Sequence, residues 1–259
     1  MFEGRTIICL LLCFLTGCSI KEDRVDCPSQ LIVDCSGFQK VSDSVAVLCW
    51  NKDSLVFSIH LGEDGGNWVV TQSVPREKLT VSVVGGIEHS LIKDDFIYAP
   101  ARSQFDSLYC NSAEIECSSE ENVLNVVPHR QFSRVLITSL NNCPYSFLVR
   151  SNTSGIYLRD FSSCELAGAF AYEFTPVYQG IWQVNIPRHS FENNSLYLCA
   201  LIDNEIKVTL PLSKILRDNH YDWEAQELAD IIVDFNYTEQ NAWFTMEHWS
   251  EGNTLDVIL

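Results

Sequence analysis

The sequence predicts an all-β fold arranged as two β-sandwich domains in tandem, with one or two short helices. Apolar residues come in short or alternating runs separated by polar turns, which is the pattern of strands. Hydrophobic residues make up 46% of the 259 residues and aromatic residues 11%, so the chain can build a buried core. Helical spacing is confined to two short segments near the C-terminus.

In the first half, six apolar segments are predicted to be strands. They are LIVDC (31–35), VAVLCW (45–50), LVFSIH (55–60), WVVT (68–71), KLTVSVV (78–84) and VLNVV (123–127). The turn EDGG at 63–66 is predicted to close a β-hairpin, because glycine accepts the positive φ that such turns require.

The second half repeats this pattern and then changes. Its predicted strands are FSRVLITSL (132–140), SFLVR (146–150), AFAYEFTPVY (169–178), IWQVNI (181–186), LYLCALI (196–202), EIKVTLP (205–211), IIVDFNY (231–237) and WFTMEHW (243–249). The two predicted helices are PLSKILRDN (211–219) and DWEAQELAD (222–230). The polar, proline-containing segment VVPHRQF (126–132) is the predicted boundary between a sandwich at 29–128 and a second at 129–259.

The N-terminus has the pattern of an export signal. Arg5 precedes the apolar run IICLLLCFL (7–15), which is too short to span a bilayer, and LTGC follows at 15–18. LTGC resembles the bacterial lipobox, which implies that residues 1–17 are removed and that Cys18 carries lipid. Residues 18–28 would then be a polar tether on an outer-membrane lipoprotein. Its SIKED (19–23) resembles the export tag of surface-exposed lipoproteins in Bacteroidetes-type bacteria.

Charge and motifs argue against several classes of function. The chain has 17 Lys and Arg against 34 Asp and Glu, a net charge of −17, without a basic run, so we expect no nucleic-acid partner. The nucleophile-elbow, zinc-protease, P-loop and dinucleotide motifs are absent, and the six histidines are scattered. We therefore predict a protein that is not an enzyme and that needs no cofactor or metal.

Eight cysteines follow Cys18, namely Cys27, Cys35, Cys49, Cys110, Cys117, Cys143, Cys164 and Cys199. Their spacing matches no zinc motif. An even number of dispersed cysteines suits disulfide bonds in an oxidising compartment. Buried free thiols acting as small hydrophobes are the alternative, and the sequence leaves both open.

The chain as a whole resembles the FimB-type fimbrial anchor lipoproteins of Bacteroidetes-type bacteria. The resemblance is carried by LTGC with CSIKEDRVDCP (18–28), VLNVVPHRQFSRVLITSL (123–140), LPLSKIL (210–216) and the last strands, ADIIVDFNY (229–237) and WFTMEHW. It implies two transthyretin-like β-sandwiches that are tethered by lipid to the outer membrane, hold the base of a fimbrium and limit its length. The implied partner is a fimbrial stalk subunit, bound by β-strand exchange.

The exchanged strand is a separate hypothesis. The chain ends in an apolar run, and we expect its residues Thr254, Leu255, Asp256, Val257, Ile258 and Leu259 to be offered to the first stalk subunit. The alternative is an ordinary final strand in the chain's own sheet.

A second class of function also stays open, a surface glycan-binding lipoprotein. Six tryptophans could form a sugar-stacking platform, although most lie in or beside predicted strands and suit the core better: Trp50, Trp68, Trp182, Trp223, Trp243 and Trp249.

Overall fold

The computed structural model describes residues 27–52, 54–62, 66–139, 143–236, 241–246 and 255–258. In this part of the chain the fold is all-β, with 22 strands in five sheets and a single α-helix, which confirms the predicted fold class. Two short 3-10 helices, Ser36–Lys40 and Glu165–Ala167, connect strands.

The strands follow one another closely along the chain. Those of the first half are β1 (Ser29–Asp34), β2 (Val45–Trp50), β3 (Leu55–Leu61), β4 (Val69–Val74), β5 (Lys78–Gly85), β6 (Leu91–Lys93), β7 (Phe96–Tyr98), β8 (Tyr109–Glu116), β9 (Glu121–Asn125) and β10 (His129–Arg130). The second half contains β11 (Phe132–Ser139), β12 (Ser146–Ser151), β13 (Gly155–Tyr157), β14 (Ser163–Cys164), β15 (Phe170–Glu173), β16 (Thr175–Tyr178), β17 (Ile181–Pro187), β18 (Tyr197–Ile202), β19 (Glu205–Leu210), α1 (Leu212–Asp218), β20 (Ile231–Asn236), β21 (Asn241–Met246) and β22 (Leu255–Ile258).

Eight strands of the first half form a sandwich of a three-stranded and a five-stranded sheet. The strand orders are β4-β1-β9 and β10-β8-β5-β2-β3. Leu31 and Val33 of the first sheet and Val47 and Val81 of the second are fully buried in one cluster between them. Strand β1 is the centre of the smaller sheet, antiparallel to β4 and parallel to β9.

Ten strands of the second half form a second sandwich. Its six-stranded sheet has the order β16-β17-β11-β20-β21-β22, and its four-stranded sheet the order β15-β12-β18-β19. Phe147 of the smaller sheet packs edge-on against Phe235 of the larger one, with ring centroids 5.2 Å apart. Such aromatic pairs add stability beyond the area that they bury.

A fifth sheet joins the two halves. Its order is β14-β13-β7-β6, so β7 from the first half pairs with β13 from the second, and the buried Ile97 and Ile156 lie opposite each other. Ala46, Leu48 and Trp50 of β2 also belong to the buried cluster that fills the second sandwich. The five-stranded sheet is therefore covered on both faces.

The chain passes from β10 to the six-stranded sheet at Gln131, and the predicted domain boundary between residues 128 and 129 stays a prediction.

The predicted second helix at 222–230 is wrong, because this segment forms turns. The side chain of Asp222 accepts a hydrogen bond from the Glu224 backbone N–H at 2.9 Å. Arg188 donates to the carbonyl oxygens of Trp223 and Ala225. Those carbonyls would serve a helix internally, so contacts from elsewhere in the chain replace the helix here. The first predicted helix is confirmed as α1.

The hairpin predicted at 63–66 is also wrong. The flanking strands β3 and β4 lie in different sheets, so the connection crosses from one layer of the sandwich to the other. The Trp68 carbonyl accepts a hydrogen bond from the Cys35 backbone N–H at 2.8 Å, which starts the pairing of β4 with β1. Residues 63–65 themselves lie outside the described residues.

Candidate functional site

The proposed exchange segment lies at a sheet edge. Residues 255–258 form β22, the last strand of the six-stranded sheet, and pair antiparallel with residues 241–244 of β21. Thr254 and Leu259 lie outside the described residues. Among the described strands β22 has one neighbour, so its other edge can accept a strand.

The register of this edge places alternate positions on different faces of the sheet. Val233 lies opposite Phe244, which lies opposite Leu255, and Phe235 lies opposite Ala242, which lies opposite Val257. Val233 and Phe235 are buried. Because alternate residues of a strand lie on opposite faces, positions 255 and 257 belong to the rows of the core face, and Asp256 belongs to a row of the opposite face.

Cys18 lies outside the described residues, but the place where the tether meets the fold is described. Arg76 Nε donates a hydrogen bond to the Cys27 carbonyl oxygen at 2.9 Å, and its Nη1 donates to the Ser118 carbonyl oxygen at 2.7 Å. Ser29 Oγ donates to the Ser119 carbonyl oxygen at 2.6 Å. These contacts fasten the start of β1 to the turn that precedes β9.

The eight cysteines after Cys18 are all free thiols in this structure, and six of them are buried. Desolvation raises the pKa of Cys35 and Cys49 to about 12. The thiolate is the reactive form, so these two groups are inert near neutral pH. The alternatives were disulfide bonds and buried free thiols, and the six buried cysteines are free thiols that pack as small hydrophobes.

The tryptophans whose side chains are described belong to cores and not to a platform. Trp50 and Trp223 are 2% and 5% exposed. Trp182 packs edge-on against Phe147 at 5.0 Å between ring centroids, and Trp68 packs against the core of the first sandwich.

One cluster of metal-ligating groups was not anticipated from the sequence. Potential ligand atoms of Glu88, His89 and Asp106 lie within 4.8 Å of one another. The buried Asp106 Oδ2 accepts backbone N–H groups of residues 88, 89 and 90 at 2.9, 2.9 and 2.7 Å. This carboxylate thereby holds the loop before β6 in place, which is a structural role.

A cavity of about 490 Å³ opens where the two halves meet. We call it the junction cavity; Asn111 and His129 line it from the first half, and Phe191, Trp223 and Gln226 from the second. These residues are far apart in sequence, so no motif reveals them. Burial lowers the pKa of Arg188 in its wall, although the guanidinium is held by several hydrogen bonds.

Comparison with known proteins gives a likeness of fold. No protein-family model and no curated protein sequence matches the chain. The fimbrial anchor protein Mfa2 of Porphyromonas gingivalis is similar in structure, with a TM-score of 0.58 and 11% identity over 86% of this chain and 98% of Mfa2. The fold is thus one that a fimbrial anchor protein also has, as the sequence resemblance predicted.

Two further solved structures are similar over most of their length. The tip fimbrial protein Mfa3 of Porphyromonas gingivalis, truncated at its C-terminus, has a TM-score of 0.50 and 10% identity over 86% of this chain and all of that one (100%). A candidate polysaccharide-binding protein of Bacteroides thetaiotaomicron has a TM-score of 0.58 and 10% identity over 86% of this chain and 99% of its own.

No helix in the described part of the chain is long and apolar enough to cross a membrane.

Proposed function

We propose that this protein is a lipoprotein of the outer membrane that anchors the base of a surface fimbrium. Lipid on Cys18 holds it to the membrane, and its C-terminal segment, residues 254–259, is exchanged with the first stalk subunit. A base subunit that binds one partner and cannot be released also limits the length of the fibre. The observation that carries the proposal is the position of β22 at an edge of the six-stranded sheet, where it has one neighbour among the described strands.

Two findings support the proposal. Mfa2, whose name describes a fimbrial anchor, shares the fold over 86% of this chain. The LTGC sequence at 15–18 supplies an attachment point, since a lipid chain contributes roughly 0.8 kcal/mol per buried methylene and more than one chain makes anchoring durable. None of the three reported structures is described as an enzyme, in keeping with a role in assembly.

Strand exchange needs an extended segment with a regular alternation of side chains. Main-chain hydrogen bonds give such an interaction its affinity, and alternate side chains in apolar rows give it register. In the described part of the chain, residues 255–258 pair at four positions with a single neighbouring strand, so their transfer to another sheet breaks one ladder only.

Replacement of Cys18 tests the anchoring role. In cells that carry Cys18→Ala, fimbriae are expected in the medium and not on the cell surface, because the base has lost its lipid. The measurement is immunoblotting of stalk subunits in cell and medium fractions. Cys27→Ala is the matched control, since it removes an exposed cysteine near the end of the tether and should leave fimbriae attached. Fimbriae that stay on Cys18→Ala cells refute the anchor.

Substitution within β22 tests the exchanged segment. Val257→Asp places a charge in a core-face row and is expected to abolish capture of purified stalk subunits, because burying an unpaired carboxylate is costly in either sheet. Asp256→Asn, in the neighbouring row, should capture them normally. Equal capture by both variants, measured by pull-down at equal protein concentration, contradicts the assignment.

Glycan binding in place of anchoring is the competing function, and one similar structure is described as a candidate polysaccharide-binding protein. The buried positions of Trp50 and Trp223 remove two members from the tryptophan platform on which this alternative depended. Retention of the protein on polysaccharide affinity gels, together with normal fimbriae in Cys18→Ala cells, would favour this alternative.

A further inference from the structure

The junction cavity has the position and size of a ligand site, and anchoring makes no use of it. It lies between the two halves, where small-molecule sites often form, and its volume of about 490 Å³ falls in the range of ligand pockets. The joining sheet β14-β13-β7-β6 ties the halves together, and Ser163 of its strand β14 lines the cavity.

Arg188 in the wall of the cavity is held in place by hydrogen bonds. Arg188, 8% exposed, donates through Nε and Nη2 to Gln131 Oε1 at 3.2 and 2.7 Å. It also donates to the carbonyl oxygens of Trp223 and Ala225. Its donors are thus engaged by the protein, so this guanidinium shapes the wall and is not available to bind an anion.

Two phenylalanines line the cavity. Phe191 exposes 52% of its surface. Phe161 has a φ of 59°, in the left-handed region that bulky residues avoid at a cost of about 1–3 kcal/mol. Strained backbone of this kind concentrates at binding sites, where the rest of the fold holds it in place.

Two polar side chains of the cavity lining are fixed by each other. His129 Nδ1 is buried without a hydrogen-bond partner, and the nearest carboxylate oxygen, of Glu227, is 3.6 Å away. This nitrogen faces the Glu227 carboxylate and is closed off from solvent, so it is not an atom that a ligand contacts. The other ring nitrogen, Nε2, lies 2.8 Å from Gln226 Nε2, so this pair presents a fixed imidazole and amide to the cavity.

The lining selects a chemical class. The polar side chains of Ser112, Ser163, Ser190 and Gln226 line the cavity together with the two phenylalanine rings. Carboxylates of Asp160 and Glu224 also line the cavity, and the chain carries a net charge of −17, so an anionic ligand is repelled.

A ligand that combines many hydroxyls with an apolar C–H face and no charge fits such a lining. We propose that the junction cavity binds a short neutral saccharide. Phe191 stacks against a sugar ring, and the side-chain amide of Gln226 bonds its hydroxyls. This function is separate from anchoring and does not depend on Cys18.

The test uses the full chain purified in detergent. It is screened against a printed array of neutral gluco-, manno-, xylo- and galacto-oligosaccharides, with acidic oligogalacturonates for comparison, and hits are titrated by calorimetry. We expect a neutral oligosaccharide to bind and Phe191→Ala to weaken its affinity by about tenfold or more. Phe191→Tyr keeps the ring and should retain binding.

Ile206→Ala is the matched control, because Ile206 is an apolar residue of β19, 45% exposed, that does not line the cavity. It should bind as the native chain does. Gln226→Ala gives a second reading that is independent of stacking and should also weaken binding. Three results overturn the proposal: no oligosaccharide binds, acidic ones alone bind, or a neutral one binds equally to the folded Phe191→Ala and Gln226→Ala variants. Shedding of fimbriae by Cys18→Ala cells is unaffected by any of these outcomes.

Discussion

At the scale of single residues, burial determines which ionisable groups of this protein can change charge. His189 is 2% exposed, and its Nδ1 donates to the Pro187 carbonyl oxygen at 2.8 Å. A carbonyl oxygen accepts only, so Nδ1 carries the proton, and Nε2 accepts from Ser151 Oγ at 2.7 Å. Burial lowers the pKa of His189 from 6.5 to about 4, and the neutral ring is the native form.

The lowered pKa predicts loss of stability in mild acid. The unfolded chain binds a proton at His189 below about pH 6.5 and the folded chain only near pH 4, so this contribution is complete above pH 6.5 and is lost as the pH falls toward 4. We expect the loss to reach about 3 kcal/mol. Urea unfolding at pH 7, 6, 5 and 4.5 measures it.

His189→Asn is the variant for comparison, because it removes the titrating ring. Other groups also titrate in this range, so the difference between the two slopes isolates His189. The variant should be less stable than the native chain at pH 7 and should approach it at pH 4.5. Parallel curves for the two proteins would contradict the assignment.

At the scale of elements, a strand could be predicted from the sequence where the residues that it buries are apolar. All six residues of β2 are buried, because the second half covers the face that the three-stranded sheet leaves free, and its run VAVLCW is continuously apolar. Strand β8 has eight residues but the sequence YCNSAEIE, and its apolar positions are too few to predict it. It is a strand because β5 pairs with it over eight positions.

The start of β1 gives a prediction at the same scale. Arg76→Ala removes the hydrogen bonds to the carbonyl oxygens of Cys27 and Ser118 and should cost about 1 kcal/mol of unfolding free energy, with faster hydrogen exchange at the amides of β1. Lys78→Ala, which removes the exposed ion pair between Lys78 of the nearby β5 and Glu114 of β8, should change stability by less than about 0.5 kcal/mol. Equal exchange of β1 in both variants would show that Arg76 does not hold this strand.

At the scale of the whole molecule, the two halves share backbone pairing as well as a core. Pairing of β7 with β13 crosses between them, and Ser82 Oγ donates to the Leu158 carbonyl oxygen at 2.6 Å in a buried contact. A shared core and shared strands couple the unfolding of two units. We therefore expect a single thermal transition for the native chain.

Gly155 is the residue on which this coupling can be tested. A Cβ at position 155 would lie 2.2 Å from the Ile97 carbonyl oxygen, so an alanine forces β13 away from β7. Gly155→Ala should lower stability by about 1–3 kcal/mol and divide the calorimetric transition into two. Gly66→Ala, where a Cβ meets no atom within 4 Å, is the control and should leave one transition. If Gly155→Ala unfolds in a single transition at the same midpoint temperature as the native chain, pairing of β13 with β7 does not couple the two halves.

The sequence by itself determined the all-β class, the position of most strands and α1, because alternation and apolar runs record local burial. Tertiary structure decided what depends on distant partners: the sheets that strands enter, the joining sheet and the junction cavity. The segment 222–230 has a helical pattern, yet Arg188 donates hydrogen bonds to two of its carbonyl oxygens and the segment forms no helix. Residues 63–66 have a hairpin pattern, yet β3 and β4 pair with different strands. Local sequence sets what a segment can form, while long-range hydrogen bonds and burial select among those forms.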